Sequence, residues 1–350
     1  MKKIYYITAV FATLFLVGCG DGIDLPGVNV ETDLNKIPLP DNNVNLEQVE
    51  LKPSTEPMLH EGLHTEEDFQ RIRDKKAAGE EPWVSAYQLL VESQFSQKTA
   101  DTYPTEWIKR GVSGDENYMN AARGATIAYQ QALRWKIEQD DEYAAKAVEN
   151  LNKWVQTCVG VTGNTNLSLA AGLYGYEFAI AGELLRDYGG WDRADFAAFQ
   201  NWLLKVFYPA NDDFLKRHHD TNALHYWANW CLCNIAAKMA IGIVTDRRDI
   251  YNEGIDHLQT GDTNGRLRRA IYHDYAPDYN FAQWQESGRD QGHTLMCVGL
   301  MGVICQLAWS QGDDFFAYDD NLFMRACEYA ACCNYTNETV PYTTYIWQKQ

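Results

Sequence analysis

The chain has 350 residues, 46% of them hydrophobic and 13% aromatic, with 11 Trp and 21 Tyr. That is enough apolar material for a large core and an aromatic-lined cleft, as in an enzyme-sized globular domain. The formal charge of −18 argues against nucleic acid as a partner and requires any site for an acidic ligand to be locally basic.

Lys2 and Lys3 precede an apolar stretch, Ile4 to Val17, too short for a membrane span and suited to the core of a signal peptide. It ends in Leu16-Val17-Gly18-Cys19, small residues before a cysteine, which fits a bacterial lipoprotein cleavage box. The expectation is a lipoprotein signal peptide over residues 1–18 with Cys19 as the lipidated N-terminus. The alternative is an ordinary signal peptide with a chance cysteine. No later run reads as apolar for long enough to span a bilayer, so membrane attachment is expected through the N-terminal lipid anchor only. That places the protein in the cell envelope, on the outer membrane, at its periplasmic face or the cell surface. Residues 19–57 read as a flexible tether, with Pro26, Pro38, Pro40, Pro53 and Pro57 among many Asn, Asp and Glu. Such a segment buries too little apolar surface to offset its ordering entropy.

From residue 58 on, almost every run is helical in pattern. Thr65 is an N-cap candidate followed by three acids, and its helix runs through Phe69, Ile72 and Lys76 to stop near Gly79. Further helices are expected over Trp83–Ser93, Asn117–Gln139, Glu142–Cys158, Leu167–Tyr188 and Asp195–Phe207. Thr221–Val244 is apolar nearly throughout and reads as a helix buried on most sides. Arg247–Gln259, a short Arg266–Tyr272, Gly288–Ser310 and Asn321–Asn334 follow, and no β alternation stands out. Successive helices with short Gly- or Asp-rich joints imply stacked antiparallel pairs, and the enzyme-sized version is an all-α (α/α) toroid over residues 58–350. The sequence ends at Trp347-Gln348-Lys349-Gln350 without a helix stop, so the expectation is an incomplete or open ring that continues beyond residue 350.

Of nine cysteines, one is the lipid candidate. The others lie in apolar helical runs without zinc-site spacing, so they read as buried thiols, with a disulfide as the alternative. No metal site and no cofactor are expected. His218 and His219 are adjacent and point to different faces.

Chemistry concentrates in two segments. In the first, Asn222, His225 and Asn229 have i, i+3, i+7 spacing, hence one helical face, flanked by Tyr226 and Trp230. Buried polar groups need partners, so these residues either line a site or bond neighbouring loops. In the second, Glu286, Arg289 and His293 repeat that spacing, after a loop with Tyr272, Tyr275 and Tyr279. A guanidinium beside a carboxylate and an imidazole suits recognition of a sugar carboxylate; the plainer reading is a salt-bridged helix start.

At these residues the sequence resembles the alginate lyases and related uronan lyases built on (α/α) toroids. Leu63-His64-Thr65-Glu66-Glu67-Asp68 and Gly79-Glu80-Glu81-Pro82-Trp83 look like the start of such domains. Asn222 to Trp230, with Thr245-Asp246-Arg247-Arg248-Asp249, is similar to the family's Asn-Asn-His-x-Tyr-Trp-x-x-Trp and downstream Arg-Arg-Asp. Glu286-Ser287-Gly288-Arg289 matches its Glu-x-x-Arg, and the run on to His293 looks most like polysaccharide lyase family 38. The resemblance covers roughly residues 60 to 310. Two departures stand out. The family's Asn-His pair falls on Ala223-Leu224, and its catalytic Tyr position falls on Met296. Only Asn222, Glu286 and Arg289 therefore carry over directly.

The resemblance implies β-elimination on a 4-linked uronic-acid polysaccharide, alginate or glucuronan. Removal of the weakly acidic C5 proton needs a neutralised carboxylate, which Arg289 and an amide from Asn222 or Asn229 can supply without a metal. The base and acid are then sought among His225, His293 and Tyr272, with Tyr226, Asn229, Trp230, Tyr275, Tyr279 and Glu286 as substrate-binding candidates. Two other classes stay open. A glycoside hydrolase on the same toroid would use two of Asp274, Asp278, Glu286 and Asp290. A non-catalytic surface glycan-binding lipoprotein would use the aromatics alone.

Overall fold

The computed structural model describes residues 54–336 and 339–344. The signal peptide, Cys19 and nearly all of the expected tether lie outside the described residues.

Helix α1 (Glu66–Ala77) starts where the sequence places it. The Thr65 hydroxyl accepts the Asp68 N–H at 3.2 Å, and the Asp68 carboxylate accepts the Thr65 N–H at 2.9 Å. Gly79, at φ +69°, turns the chain into α2 (Trp83–Glu92). Then come α3 (Tyr118–Glu138), α4 (Asp141–Thr157), α5 (Leu167–Leu184), α6 (Arg193–Val206), α7 (Tyr208–Arg217) and α8 (Ala228–Val244). The last are α9 (Arg248–Thr260), the short α10 (Leu267–Ala270), α11 (Gln291–Ser310) and α12 (Tyr318–Tyr335).

Helices α3, α5, α8 and α11 form an inner layer in which all run the same way. Asn234 near the start of α8 donates to the Ser168 carbonyl near the start of α5, at 3.2 Å. Past the end of α5, Arg186 donates to the Ile243 and Val244 carbonyls at 3.2 and 2.9 Å. Tyr118 stacks on Tyr174 with centroids 6.5 Å apart, tying α3 to α5, and Asn229 reaches Met296 at 3.5 Å, tying α8 to α11. The outer helices return antiparallel. Asn150 on α4 donates to the Gly124 carbonyl on α3 at 2.6 Å, and Gly242 admits the Tyr251 backbone where a Cβ would sit 2.6 Å from its nitrogen. The result is the expected toroid, mostly helical, with the N-termini of its inner helices gathered at one end.

A strap of residues 54–61 crosses the opposite end. Gln311 accepts the Leu59 N–H at 2.9 Å and donates to the carbonyls of Leu59 and Glu61 at 3.0 and 2.7 Å. Arg248 holds the carbonyls of Glu56 and Pro57. Beside it Arg186 pairs with buried Glu183 at 2.7 Å and with Asp246 at 3.1 Å.

Several expectations are corrected. Two small sheets exist: β1 (Trp107–Arg110) runs parallel to β2 (Gly160–Gly163), and β3 (Ile271–Asp274) pairs antiparallel with β4 (Ala282–Trp284). They are too short for alternation to show. Helix α7 was not anticipated; Pro209 lies in its first turn, where a missing N–H costs nothing. The helix expected from Thr221 begins only at Ala228. Before it, His218, His219 and Asp220 take left-handed φ of 51, 53 and 60°. The Asn222 side chain then accepts the Leu224 N–H at 2.8 Å, diverting the backbone from a helical ladder. By length and composition α11 is apolar enough to cross a membrane, unlike the sequence reading, but residues such as Cys297, Leu300, Met301 and Ile304 pack in the core. All eight cysteines from Cys158 to Cys333 are free thiols.

Candidate active site

The N-terminal end of α8 meets the turn that leads into α11. The first amides of a helix lack intrahelical partners. Here Gln285 accepts the Ala228 N–H at 2.8 Å and Glu286 accepts the Asn229 N–H at 3.3 Å. Glu286 is fully buried. Burial pushes its carboxyl above the ordinary range, against the pull of the Asn229 N–H, Arg289 and His293. Its other oxygen faces Arg289 at 3.4 Å, and the Arg289 guanidinium lies 5.2 Å over the Trp227 ring. Arg289 is thus held from below by a carboxylate and from the side by an indole, and its side chain keeps 31% of its surface exposed.

His293 stands one turn on, but not on the same helix as Glu286. Glu286 belongs to a 3₁₀ turn, and Asp290 caps α11, accepting the His293 N–H at 2.8 Å. The Asp290 carboxylate also takes His293 Nδ1 at 2.7 Å. Burial opposes ionisation of Asp290, but the His293 N–H and ring, with Arg289, hold it below the usual carboxylate range. That contact occupies Nδ1, so any proton transfer by His293 would run through Nε2.

The first motif is split by the loop that replaces its helix. Asn222 is exposed, and its side-chain oxygen is used on Leu224. His225 meets Tyr226 edge-on at 4.9 Å. Tyr226 is only 8% exposed and packs among Phe214, His219 and Trp230 at 5.1, 5.7 and 4.7 Å. Burial raises its phenol against a hydrogen bond from Thr165. Asn229 lies beneath the surface at 3% exposure, with its Oδ1 unpartnered. So Asn222, His225 and Asn229 do not share one helical face. The Tyr loop is anchored to α12 and to the segment at Thr343 and Thr344. Tyr275 Oη lies 2.6 Å from Gln283 Oε1 and 3.0 Å from Thr343 Oγ1, and its ring stacks on Tyr329 of α12. Tyr272 donates to the Thr344 carbonyl at 3.4 Å, and Tyr279 is 52% exposed.

Two residues make contacts at this end that the sequence reading did not assign. His219 bonds Ser168 Oγ at 2.9 Å and pins the left-handed turn to the start of α5. Arg110, on the same face of β1 as buried Ile108, stacks 4.6 Å over the Tyr118 ring. Its Nη1 is buried without a partner. Burial pushes the Tyr174 phenol up while Arg110 pulls it down, which places this cation against α5. The run Trp107-Ile108-Lys109-Arg110 carries no alternation that would have singled it out. Among the described residues no group of three or more His, Cys, Asp or Glu is placed to hold a metal. His218 turns away from the Ser168 contact and packs edge-on against Phe214 at 5.4 Å.

The alginate lyase family model matches residues 72–338, from within α1 to past α12. The chain belongs to the alginate lyase family. As a member it is a polysaccharide lyase. Solved structures share the fold at low identity. An alginate lyase A1-III variant complexed with tetrasaccharide is 14% identical, with a TM-score of 0.61 over 79% of this chain and 78% of that one. An alginate lyase from Bacteroides ovatus is 15% identical, with a TM-score of 0.56 over 77% and 82%. Alginate lyase A1-III from Sphingomonas species A1 is 14% identical, with a TM-score of 0.53 over 79% and 80%. Among curated proteins no match is found.

Proposed function

We propose that this alginate lyase family member cleaves a 4-linked uronan, alginate or glucuronan, by β-elimination, and that within the family it is closest to polysaccharide lyase family 38. The observation that carries this reading is Arg289, a partly exposed guanidinium fixed by buried Glu286 and by Trp227. A fixed, pre-oriented cation is what a uronate carboxylate needs as C5 is deprotonated and charge moves into an enediolate. The C5 proton passes to a base, the C4–O bond breaks, and an acid returns a proton to the leaving oxygen. Product is a 4,5-unsaturated sugar. His293, held by Asp290 one turn from Arg289, and His225, beside Tyr226, are the imidazoles offered for proton transfer, and Tyr272 is the phenol offered from the Tyr loop. Asn222 serves as a second donor to the carboxylate.

The hydrolase reading loses support. Asp274 is paired with Arg325 and Arg268, and Glu286 is fully buried, so two of its four carboxylates are committed elsewhere. Product analysis on alginate and glucuronan tests the proposal. A lyase product absorbs in the ultraviolet at its unsaturated end. A new reducing end without that absorbance means hydrolysis, and neither means a binding protein. We further propose attachment to the outer membrane through a lipid on Cys19.

A further inference from the structure

Segment 102–107 runs along the outside of the first two turns of α3. Asn117 Nδ2 donates to the Trp107 carbonyl at 3.0 Å, and the Trp154 indole donates to the Thr102 carbonyl at 2.9 Å. Between these anchors stand two exposed rings, Tyr103 at 40% and Trp107 at 41% exposure. One face of Trp107 rests on Gly160, where a Cβ would lie 2.5 Å from the indole, so only a glycine lets the ring lie flat there. Arg123 stands 5.7 Å over the Tyr103 ring and donates to the neutral Asn120 side chain at 3.3 Å. Among the described residues neither Arg123 nor Arg110 enters an ion pair, in a chain with 48 acidic and 30 basic residues. Two uncompensated arginines, each stacked on a tyrosine, therefore flank the start of α3. From Asn117 to Arg123 is six residues, roughly 9 Å along the helix.

We propose that Trp107, Tyr103 and Arg123 form an outlying subsite for the acidic glycan, joined to the cleft end through Arg110 and Tyr118. The indole carries the apolar face of a pyranose, and Arg123 takes a carboxylate of the same chain. Neither touches the reacting atoms. The inference rests on the proposed acidic substrate, but it is read out separately from turnover.

The test is electrophoresis of the full chain through gels containing alginate or neutral dextran. Alginate should retard the parent chain and dextran should not. Trp107→Ala and Arg123→Ala should each weaken the apparent affinity for alginate about tenfold, while Arg123→Lys restores part of it. In assays, KM for the polymer should rise by a similar factor, with kcat on a trisaccharide unchanged. Unchanged retardation with both variants overturns the subsite. Equal loss on trisaccharide and polymer also overturns it, since that marks a merely structural role. If no unsaturated product forms with any uronan, the lyase reading fails while the gels still report on the strip.

Discussion

The Asn229 N–H donates to Glu286 Oε1 at 3.3 Å, across 57 residues of chain, and so locks the start of α8 to the turn that carries Arg289. Two motifs separate in sequence become one rigid piece. A guanidinium on such a seat needs no reorganisation when charge develops on its ligand.

Arg289→Ala is therefore expected to lower kcat by about 10²–10³, as loss of one charge-stabilising donor does. Arg289→Lys should recover little, because an ammonium lacks the planar fork. Initial rates from ultraviolet absorbance of the product decide it. Activity within a few-fold of the parent, in a folded protein, removes Arg289 from the mechanism.

The proton carriers should separate by contact. His225→Ala, His293→Ala and Tyr272→Phe are each expected to cost about 10²-fold in turnover if they carry base or acid roles. Tyr275→Phe should instead lower thermal stability and spare kcat, because its hydroxyl sits between Gln283 and Thr343. If the three variants keep near-normal turnover, the relay lies elsewhere.

Glu177 on α5 gives a pH signature. Burial raises its carboxyl from 4.5 to about 8, against a hydrogen bond from Tyr176. Between those values the folded state holds the extra proton, so the contribution to stability is present at the acid end and lost as pH rises through 8. Glu177→Gln removes the titration. Its unfolding free energy relative to the parent should climb from pH ~5 to pH ~8.5, by on the order of a few kcal/mol. A constant difference across that range refutes the assignment.

Turnover should survive exhaustive chelation, since no cluster of metal-ligand side chains stands among the described residues. Loss on chelation with recovery on adding Ca²⁺ or Zn²⁺ would overturn neutralisation by Arg289.

Expressed in a bacterial host, the chain should incorporate labelled palmitate, and Cys19→Ala should abolish the label. Labelling that persists in the variant rules out Cys19 as the attachment point.

Most of the toroid was legible because its helices are long and strongly patterned. The N-cap candidate at Thr65 and the apolar run of α5 place the starts of their helices, while the apolar run of α8 places its body and end but not its start. The candidate site was harder to read. Spacing of i, i+3, i+7 assumes a helix, and the Asn222 side chain breaks that assumption by bonding Leu224. Glu286 and Arg289 stayed together because a 3₁₀ turn also brings residues three apart into contact. Arg110 and His219 act through neighbours distant in sequence, Tyr118 aside, and no local pattern reports such pairings.

The strap at residues 54–61 sets the side from which the chain enters the domain. It is sewn to Gln311 and Arg248 at the end away from the first turns of α8 and α11. The described chain therefore enters the domain behind the ring, on the side away from Arg289. The proposed lipid on Cys19 would then leave the Arg289 face open to polymer arriving from solution, with no competition for the opening.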